Sequence, residues 1–322
     1  MSAPLRVGVV GVGSMGRNHA RVYSGLPDAE LVGVADADVE RASEVADAHA
    51  TRAYDAQTLL EIVDAVSVVV PTAYHADVLA DCIDAGVHAL VEKPFVADVE
   101  TGRDLAARAR RAGVTLQVGH IERFNPAVRT VADIVANLDV LAVDAERLGP
   151  PLDRDLGSNV VHDLMIHDLD VVCALLDATP DSVTAAGGHD GQYATATCTF
   201  PDAVVASFTA SRVTQQKVRR LAVTARECQV LVDYTDQSVE IHRSSAPEYI
   251  ASSEGFRHRT ESVVERPMVD NGEPLAHELS AFLEAARDGT APVVSAEDGL
   301  RALELATRVD DLASRRSTEV AP

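Results

Sequence analysis

The sequence predicts a two-domain α/β protein. A doubly wound parallel sheet is expected over residues 1–120, and an α/β domain with a large, mostly antiparallel open sheet over residues 121–322. Three observations predict it. The 322 residues amount to about two domains of ordinary size, each large enough for its own core. Through residue 120, short β-branched runs alternate with Ala-rich stretches of helical period, the pattern of strand–helix–strand crossovers. Between Ser182 and Ile241, strand-like runs follow one another without helices, which requires antiparallel pairing.

The elements follow in order. Leu5–Val10, Glu30–Ala35, Ala65–Val70, His88–Val91 and Thr115–Val118 are apolar runs of strand length. Met15–Ser24, Val39–Ala48, Tyr74–Ala85 and Val99–Ala112 carry the helical period between them, and Gly86 and Gly113 stand where left-handed caps end helices. Beyond Val118 the rhythm changes. Phe124–Leu138 reads as a helix, Val140–Arg147 as a strand, Gly149–Pro151 as a break, and Asn159–Leu176 as one long helix. Turns at His189–Gly191 and Pro201–Ala203 divide the strands that follow. His242–Met268, rich in Ser, Glu and Arg, is expected to be a long loop. Pro274–Asp288 and Ala296–Ser314 are helices that can pack back on the first domain.

Composition narrows the function classes. With 47% apolar and 24% charged residues the chain is globular, neither disordered nor collagen-like. Its 28 lysines and arginines against 50 aspartates and glutamates leave a net charge of −22, which repels phosphate backbones and anionic lipids. Neither a nucleic acid nor a membrane surface is an expected partner. Lys93 and Lys217 are the only lysines, and an acidic, lysine-poor surface suggests adaptation to high salt. Cys82, Cys173, Cys198 and Cys228 are widely spaced with no C-x-x-C pair, which argues against a disulfide framework or zinc ribbon. The N-terminal residues lack the basic-then-apolar pattern of a signal peptide, and no apolar run reaches roughly eighteen residues, so a cytoplasmic protein is expected.

Three motifs carry chemistry. Gly11-Val12-Gly13-Ser14-Met15-Gly16 follows the first strand and opens the first helix. Gly11 permits the tight turn, Gly13 lets backbone approach a pyrophosphate, and Gly16 allows close helix–strand packing. Ser14 and Met15 sit at the helix N-terminus beside that anion. Asp36 ends the second strand twenty residues after Gly16, where a carboxylate binds ribose hydroxyls and repels a 2′-phosphate. The expected fold is a Rossmann dinucleotide-binding domain, with NAD favoured over NADP. Glu92-Lys93-Pro94 follows the strand His88–Val91, at the sheet edge where ligands bind, with Glu92 counted among the cofactor contacts. A lysine there can orient a substrate hydroxyl and stabilise an alkoxide by charge; a solvated surface lysine is the plainer alternative. On the helix after the break, Asp163 and His167 stand four apart on one face, the arrangement of an imidazole base held by a carboxylate. A metal site from His162, Asp163 and His167 is disfavoured, because His162 projects about 100° away from Asp163 on a helix, so no metal is expected.

Taken together, G-V-G-S-M-G, V-P-T-A-Y-H at Val70–His75, E-K-P and D-L-M-I-H at Asp163–His167 resemble the glucose–fructose oxidoreductase and inositol dehydrogenase family (Gfo/Idh/MocA) along essentially the whole chain. The resemblance implies an oxidoreductase in which Lys93, Asp163 and His167 form the catalytic set, Pro71 and His75 pass the nicotinamide, and the open sheet makes a homodimer or homotetramer. Gly119–Pro126, with V-P-T-A-Y-H and the helix motif, is similar to a branch that oxidises UDP-N-acetylglucosamine at C3. That likeness puts Arg123 and Asn125 near the substrate. Arg147, Arg154 and Arg257-His258-Arg259 are further cations available to an anionic sugar nucleotide. A free sugar or cyclitol is the alternative substrate, and a nucleotide-sensing regulator without turnover is the alternative of another class.

Self-repulsion at a net charge of −22 destabilises the compact state, and salt screens it. The thermal midpoint is expected to climb by several degrees between dilute buffer and molar salt. A flat profile in a scanning-fluorimetry salt series would separate the acidity from salt adaptation.

Overall fold

The structure, a computed structural model, describes residues 3–151, 159–244, 248–252, 255–259 and 261–315, with the backbone alone for 248–252, 255–259 and 315. It comprises two compact units: Met1–Phe124 with Gly272–Glu304, and Asn125–Asn271 with Leu305–Pro322. Residues 272–304 thus group with the first unit.

The first unit holds a six-stranded parallel sheet, β1 (Leu5–Val10), β2 (Ala29–Ala35), β3 (Ala53–Tyr54), β4 (Ala65–Val68), β5 (His88–Glu92) and β6 (Leu116–Gly119). Their spatial order is β3-β2-β1-β4-β5-β6, so successive strands are added on one side of β1 and then, from β4, on the other. Helices α1 (Ser14–Tyr23), α2 (Val39–Ala48), α3 (Ala56–Leu60), α4 (His75–Ala85) and α5 (Val99–Ala112) make the crossovers. The two-residue β3 and the five-residue α3 escape sequence reading because neither is long enough to repeat its period. Local chemistry starts the longer helices. Asp38 accepts the Arg41 N–H at 3.1 Å to cap α2, and Asp98 accepts those of Glu100 and Thr101 to cap α5.

Strand periodicity sorts the core into two layers. In β5, Ala89 and Val91 join Val66, Val68, Leu79, Phe95 and Leu105 on one face of the sheet. Leu90 faces the other way, into the layer of Val7, Val9, Ala20, Tyr23 and Val34. Each fully buried Val, Leu or Phe of these layers contributes about 1.5–3 kcal/mol relative to exposure. The late helices of the chain complete both layers: α8 (Pro274–Asp288) supplies Leu275, Leu279, Phe282 and Leu283 to the second, and the start of α9 (Ala296–Arg315) supplies Leu300 and Leu303 to the first.

The second unit is built on an eight-stranded sheet of order β16-β13-β12-β11-β7-β10-β9-β8. Its strands are β7 (Val140–Leu148), β8 (Ser182–Gly188), β9 (Tyr193–Thr199), β10 (Val205–Ser211), β11 (Val218–Ala225), β12 (Gln229–Asp233), β13 (Ser238–Ser244) and β16 (Ser262–Glu265). Pairing is antiparallel except between β7 and β10, which run parallel. A separate hairpin joins β14 (Glu248–Ser252) to β15 (Gly255–Arg259). The expected loop His242–Met268 is therefore largely strand. Its polar composition hid this, because β16 is an edge strand with all four residues exposed and needs only backbone pairing to β13.

One face of the large sheet is buried. Val143, Ala145, Ala206, Phe208, Leu221, Val223, Val230 and Val232 point inward, alternating with exposed residues such as Glu146. Two helices cover that face: α6 (Pro126–Val135), packed on β12 and β13, and α7 (Ile166–Leu175), packed on β7 and β10. At one inward position of β7 the sequence places Arg147 rather than an aliphatic residue. Its guanidinium donates to both oxygens of Asp168 on α7, at 2.8 and 2.7 Å, and lies 5.2 Å from the centre of the Tyr234 ring. Both side chains of this pair are at most 5% exposed.

Removing one partner of such a pair strands a buried charge, which costs about 3–5 kcal/mol. Arg147→Met is expected to lower the denaturant midpoint by that order, and Arg147→Met with Asp168→Leu to recover most of it. Equal losses in the single and double variants, in urea unfolding, would remove the pair as the cause.

Candidate active site

In the first unit, β1 runs into the glycine turn with Gly11 at φ +90°. A Cβ on Gly11 would lie 2.7 Å from the backbone of Val69 and Val70, and one on Gly16 would lie 1.9 Å from the Gly11 carbonyl oxygen. Those two glycines are therefore fixed by packing. Gly13 differs, since a Cβ there would meet nothing within 4 Å. It stands before the first residue of α1, with no side-chain cap and no acidic residue in the first turn. Open amides and an unopposed helix dipole suit the pyrophosphate of a dinucleotide. Ser14 is exposed there and Met15 half-buried.

Asp36, just past β2, is largely buried and binds the turn itself. Its Oδ2 accepts the Val12 N–H at 2.8 Å and its Oδ1 accepts the Asp38 N–H at 2.9 Å. Arg41 of α2 supplies a counter-charge, 3.3 Å from Oδ1, and also binds Asp38. The carboxylate thus stands at the second-strand position where ribose is bound.

Beyond β4, Pro71 is exposed, while His75 is buried and tied to backbone on both sides. Its Nε2 lies 2.8 Å from the Val70 oxygen, and its Nδ1 lies 3.1 and 3.2 Å from those of Pro94 and Phe95. His75 therefore fastens the turn after β4 to the turn after β5, where Lys93 resides. Lys93 is half-buried, the Lys93–Pro94 peptide is cis, and the Lys93 N–H donates to Glu92 Oε2 at 3.2 Å. The other Glu92 oxygen lies 3.3 Å from Nε2 of His19, a fully buried residue of α1. Burial opposes ionisation of Glu92, but the hydrogen bond and charge of His19, with the charge and N–H of Lys93, together hold the carboxyl below its usual range.

Arg123 and Asn125 have tasks inside their own units. The Arg123 guanidinium donates to the Val293 carbonyl at 3.4 Å and lies in the field of Asp298. Asn125 is buried, caps α6 by accepting the Ala127 N–H, and donates to the Tyr234 carbonyl.

In the second unit, the expected single helix over Asn159–Leu176 is two segments. A π-helical turn spans Val161–Met165, and α7 continues from Ile166. The side chain of Asn159 starts the turn by accepting the N–H groups of Val161 and His162, and the Val160 N–H donates to the Gly191 carbonyl. Insertions of this kind re-aim side chains and concentrate at functional sites. Asp163 lies in the π turn, ion-paired with Arg212, and His167 lies half-buried in the first turn of α7. His162 faces Asp310 at 3.5 Å rather than sharing a site with Asp163. Among the described residues no group of three or more His, Cys, Asp or Glu is placed to hold a metal.

Of the basic residues available for an anionic substrate, Arg147 is excluded by its buried pairing with Asp168. Arg154 lies outside the described residues, and Arg257, His258 and Arg259 lie on β15, described by its backbone. Sequence reasoning missed His19, Arg41 and Arg212. His19 alone left a signal, a histidine on the buried face of α1 with Gly16, Ala20 and Tyr23.

Comparison with known proteins decides the family. Residues 5–120 match the model described as an oxidoreductase family with an NAD-binding Rossmann fold, and residues 141–235 match the GFO/IDH/MocA C-terminal domain. The UDP-N-acetylglucosamine 3-dehydrogenase of Acidithiobacillus ferrooxidans is 36% identical over 87% of this chain and 88% of its own length. The chain belongs to the GFO/IDH/MocA oxidoreductase family. A solved structure of that Acidithiobacillus enzyme superposes with a TM-score of 0.88 at 34% identity, covering 98% of this chain and 99% of the other. The inositol 2-dehydrogenase of Rhizobium meliloti is 30% identical over 98% of this chain and 99% of its own. Membership makes this chain an oxidoreductase with a nicotinamide-dinucleotide-binding domain, and the turn described above fits that cofactor. Among the described residues no helix is long and apolar enough to cross a membrane.

One feature of the first unit yields a pH dependence. Glu278 of α8 is fully buried, and among the described residues neither carboxyl oxygen has a hydrogen-bond partner. Burial first, and then the charge of Glu92, hold its carboxyl well above the ordinary value of 4.5. Folding therefore favours the protonated form. Stability is full below the unfolded value and is lost as pH rises through the folded one. Glu278→Gln copies the neutral acid and avoids that loss. Its thermal midpoint is expected to gain on the wild type progressively as pH rises above the ordinary carboxyl value of 4.5; a difference that does not change with pH would contradict an ionisable, destabilising Glu278.

Proposed function

We propose that this protein is an NAD-dependent dehydrogenase that oxidises a secondary alcohol of a sugar nucleotide, UDP-N-acetylglucosamine at C3. The observation that carries the reading is its 36% identity to the UDP-N-acetylglucosamine 3-dehydrogenase over nearly the full length of both chains. Preference for NAD over NADP rests on Asp36, whose carboxylate favours ribose hydroxyls and opposes a 2′-phosphate. The acidic, lysine-poor composition supports a salt-adapted protein, the proposed location is the cytoplasm, and the open sheet of the second unit supports a homodimer or homotetramer.

The roles follow from the chemistry of each group. His167 accepts the proton of the substrate hydroxyl, as a neutral imidazole does near pH 7. The Lys93 ammonium hydrogen-bonds the same oxygen and stabilises the negative charge that grows there as the C=O bond forms. Asp163 orients the site. When bound, the nicotinamide supplies the acceptor for the hydride leaving the carbinol carbon. Glu92 holds the Lys93 backbone, and His75 ties the turn that carries it to the turn after β4. Pro71 lies on that second turn, at the edge of the cofactor face. Retention of Lys93, Asp163 and His167 together argues against a sensor that binds the nucleotide without turnover. The full-length similarity to inositol 2-dehydrogenase favours a cyclitol as the second reading.

Incubation with NAD and a panel of sugar nucleotides, free sugars and inositols tests the substrate. UDP-N-acetylglucosamine is expected to react fastest and to yield a 3-keto sugar nucleotide. Free N-acetylglucosamine should lose kcat as well as affinity, since binding energy of the remote nucleotide supports the reacting end. Equal or faster turnover of inositol or a free sugar would replace the sugar-nucleotide reading. Lys93→Met should lower turnover by about 10²-fold, the scale for one preorganised electrostatic partner, with NAD binding little changed.

A further inference from the structure

The parallel strands β7 and β10 end side by side, with Ala210 opposite Arg147 and Ser211 opposite Leu148. Each strand end contributes one arginine to an aspartate of the segment that carries His167: Arg147 to Asp168, and Arg212, the residue after β10, to Asp163. The first pair is bidentate and nearly sealed. The second differs where chemistry would differ, because the Arg212 side chain is 7% exposed while that of Asp163 is 27% exposed. Arg212 is buried behind an aspartate that reaches solvent.

Its backbone is pinned from two directions. The Arg212 N–H donates to the Gln192 carbonyl at 2.9 Å. On either side of it, the Gly149 N–H donates to the Ser211 carbonyl and the Thr214 N–H to the Gly149 carbonyl, at 2.9 and 3.1 Å. The same β8–β9 turn that accepts from Arg212 also accepts, at Gly191, the N–H of Val160 at the head of the π turn. One rigid turn thus sets both the cation and the start of the segment bearing its anion.

We propose that Arg212 is a positioning residue that holds the Asp163 carboxylate as a fixed anion, leaving His167 as the member of the pair that takes the substrate proton. The inference rests on the assignment of Asp163 and His167 in the proposed reaction. A carboxylate whose charge is shared with a seated guanidinium keeps one geometry, and misplacement of about 1 Å at a reacting centre costs about 10²-fold in rate. An arginine suits the task better than a lysine, because its planar fork fixes direction as well as charge.

A double-mutant cycle tests it, with circular dichroism and NADH fluorescence titration as controls for folding and cofactor binding. Arg212→Met should lower kcat by about 10²-fold with KM and NADH affinity little changed, and Arg212→Lys should restore part of the loss. In the Asp163→Asn background, Arg212→Met should add little, because the group it positions is already gone. Losses that multiply in the double variant would overturn the inference. A rise in KM at constant kcat would also overturn it, and would mark Arg212 as a direct contact of the substrate. Wild-type turnover in Asp163→Asn alone would instead remove Asp163 from the reaction, and Arg212 with it. If Arg212→Met does not fold, Arg212→Lys and Asp163→Asn complete the same cycle.

Discussion

Burying a carboxylate without a cation is among the most expensive acts available to a folding chain, and this one has 50 acids to place with 28 lysines and arginines. Much of the architecture around the proposed site is a solution to that constraint. Asp168 inside the second unit takes Arg147, Asp163 at its surface takes Arg212, Asp36 beside the glycine turn takes Arg41, and Glu92 under Lys93 takes His19. Glu278 receives none, and folding keeps it protonated instead. Arginine serves three of these positions, where a fork that binds two oxygens fixes orientation as well as charge.

The first unit was readable in the sequence because its signals are local. A β-branched run, a glycine turn, an aspartate twenty residues on and a helix cap each declare themselves within a few residues, and the glycine turn, Asp36 and Lys93 all follow strand ends of the parallel sheet. The ion pairs of the second unit were not readable, because their partners are distant along the chain: Arg147 precedes Asp168 by 21 residues, and Arg212 follows Asp163 by 49. Nothing in the spacing of Arg212 separates it from a surface arginine. The strands within His242–Met268 failed to announce themselves for the opposite reason. An exposed edge strand needs no apolar alternation, so Ser262–Glu265 reads as loop until β13 is placed beside it.

The π turn shows a third limit. Four-residue spacing predicts that Asp163 and His167 share a face on an ideal helix, but Val161–Met165 is wound more loosely and α7 begins only at Ile166. Loose winding weakens the intrahelical ladder. Compensation comes from outside it: the Asn159 side chain takes two of the opening N–H groups, and the Gly191 carbonyl takes that of Val160. With Arg212, just past the end of β10, paired to it, Asp163 is restrained from outside its own helix as well as by the capped head of its turn.

Asp36 joins these arguments to cofactor choice. In the simplest account of such a site the acidic residue after the second strand is a sensor of the ribose alone, exchangeable for a neutral residue when a 2′-phosphate must be admitted. Here one oxygen already holds the Val12 N–H inside the glycine turn, and the other holds the N–H of Asp38, which itself caps α2. Removing the carboxylate would free a largely buried N–H in the turn that faces the pyrophosphate, a cost of about 1–3 kcal/mol. It would also take from Arg41 one of the two aspartates it pairs with, leaving Asp38. On the proposed reading of Asp36, the choice of NAD and the shape of the glycine turn rest on the same two oxygens, so a substitution at position 36 is expected to act on both at once. Arg41, 41% exposed and outside the turn, contributes charge beside Asp36 without taking part in that backbone clamp.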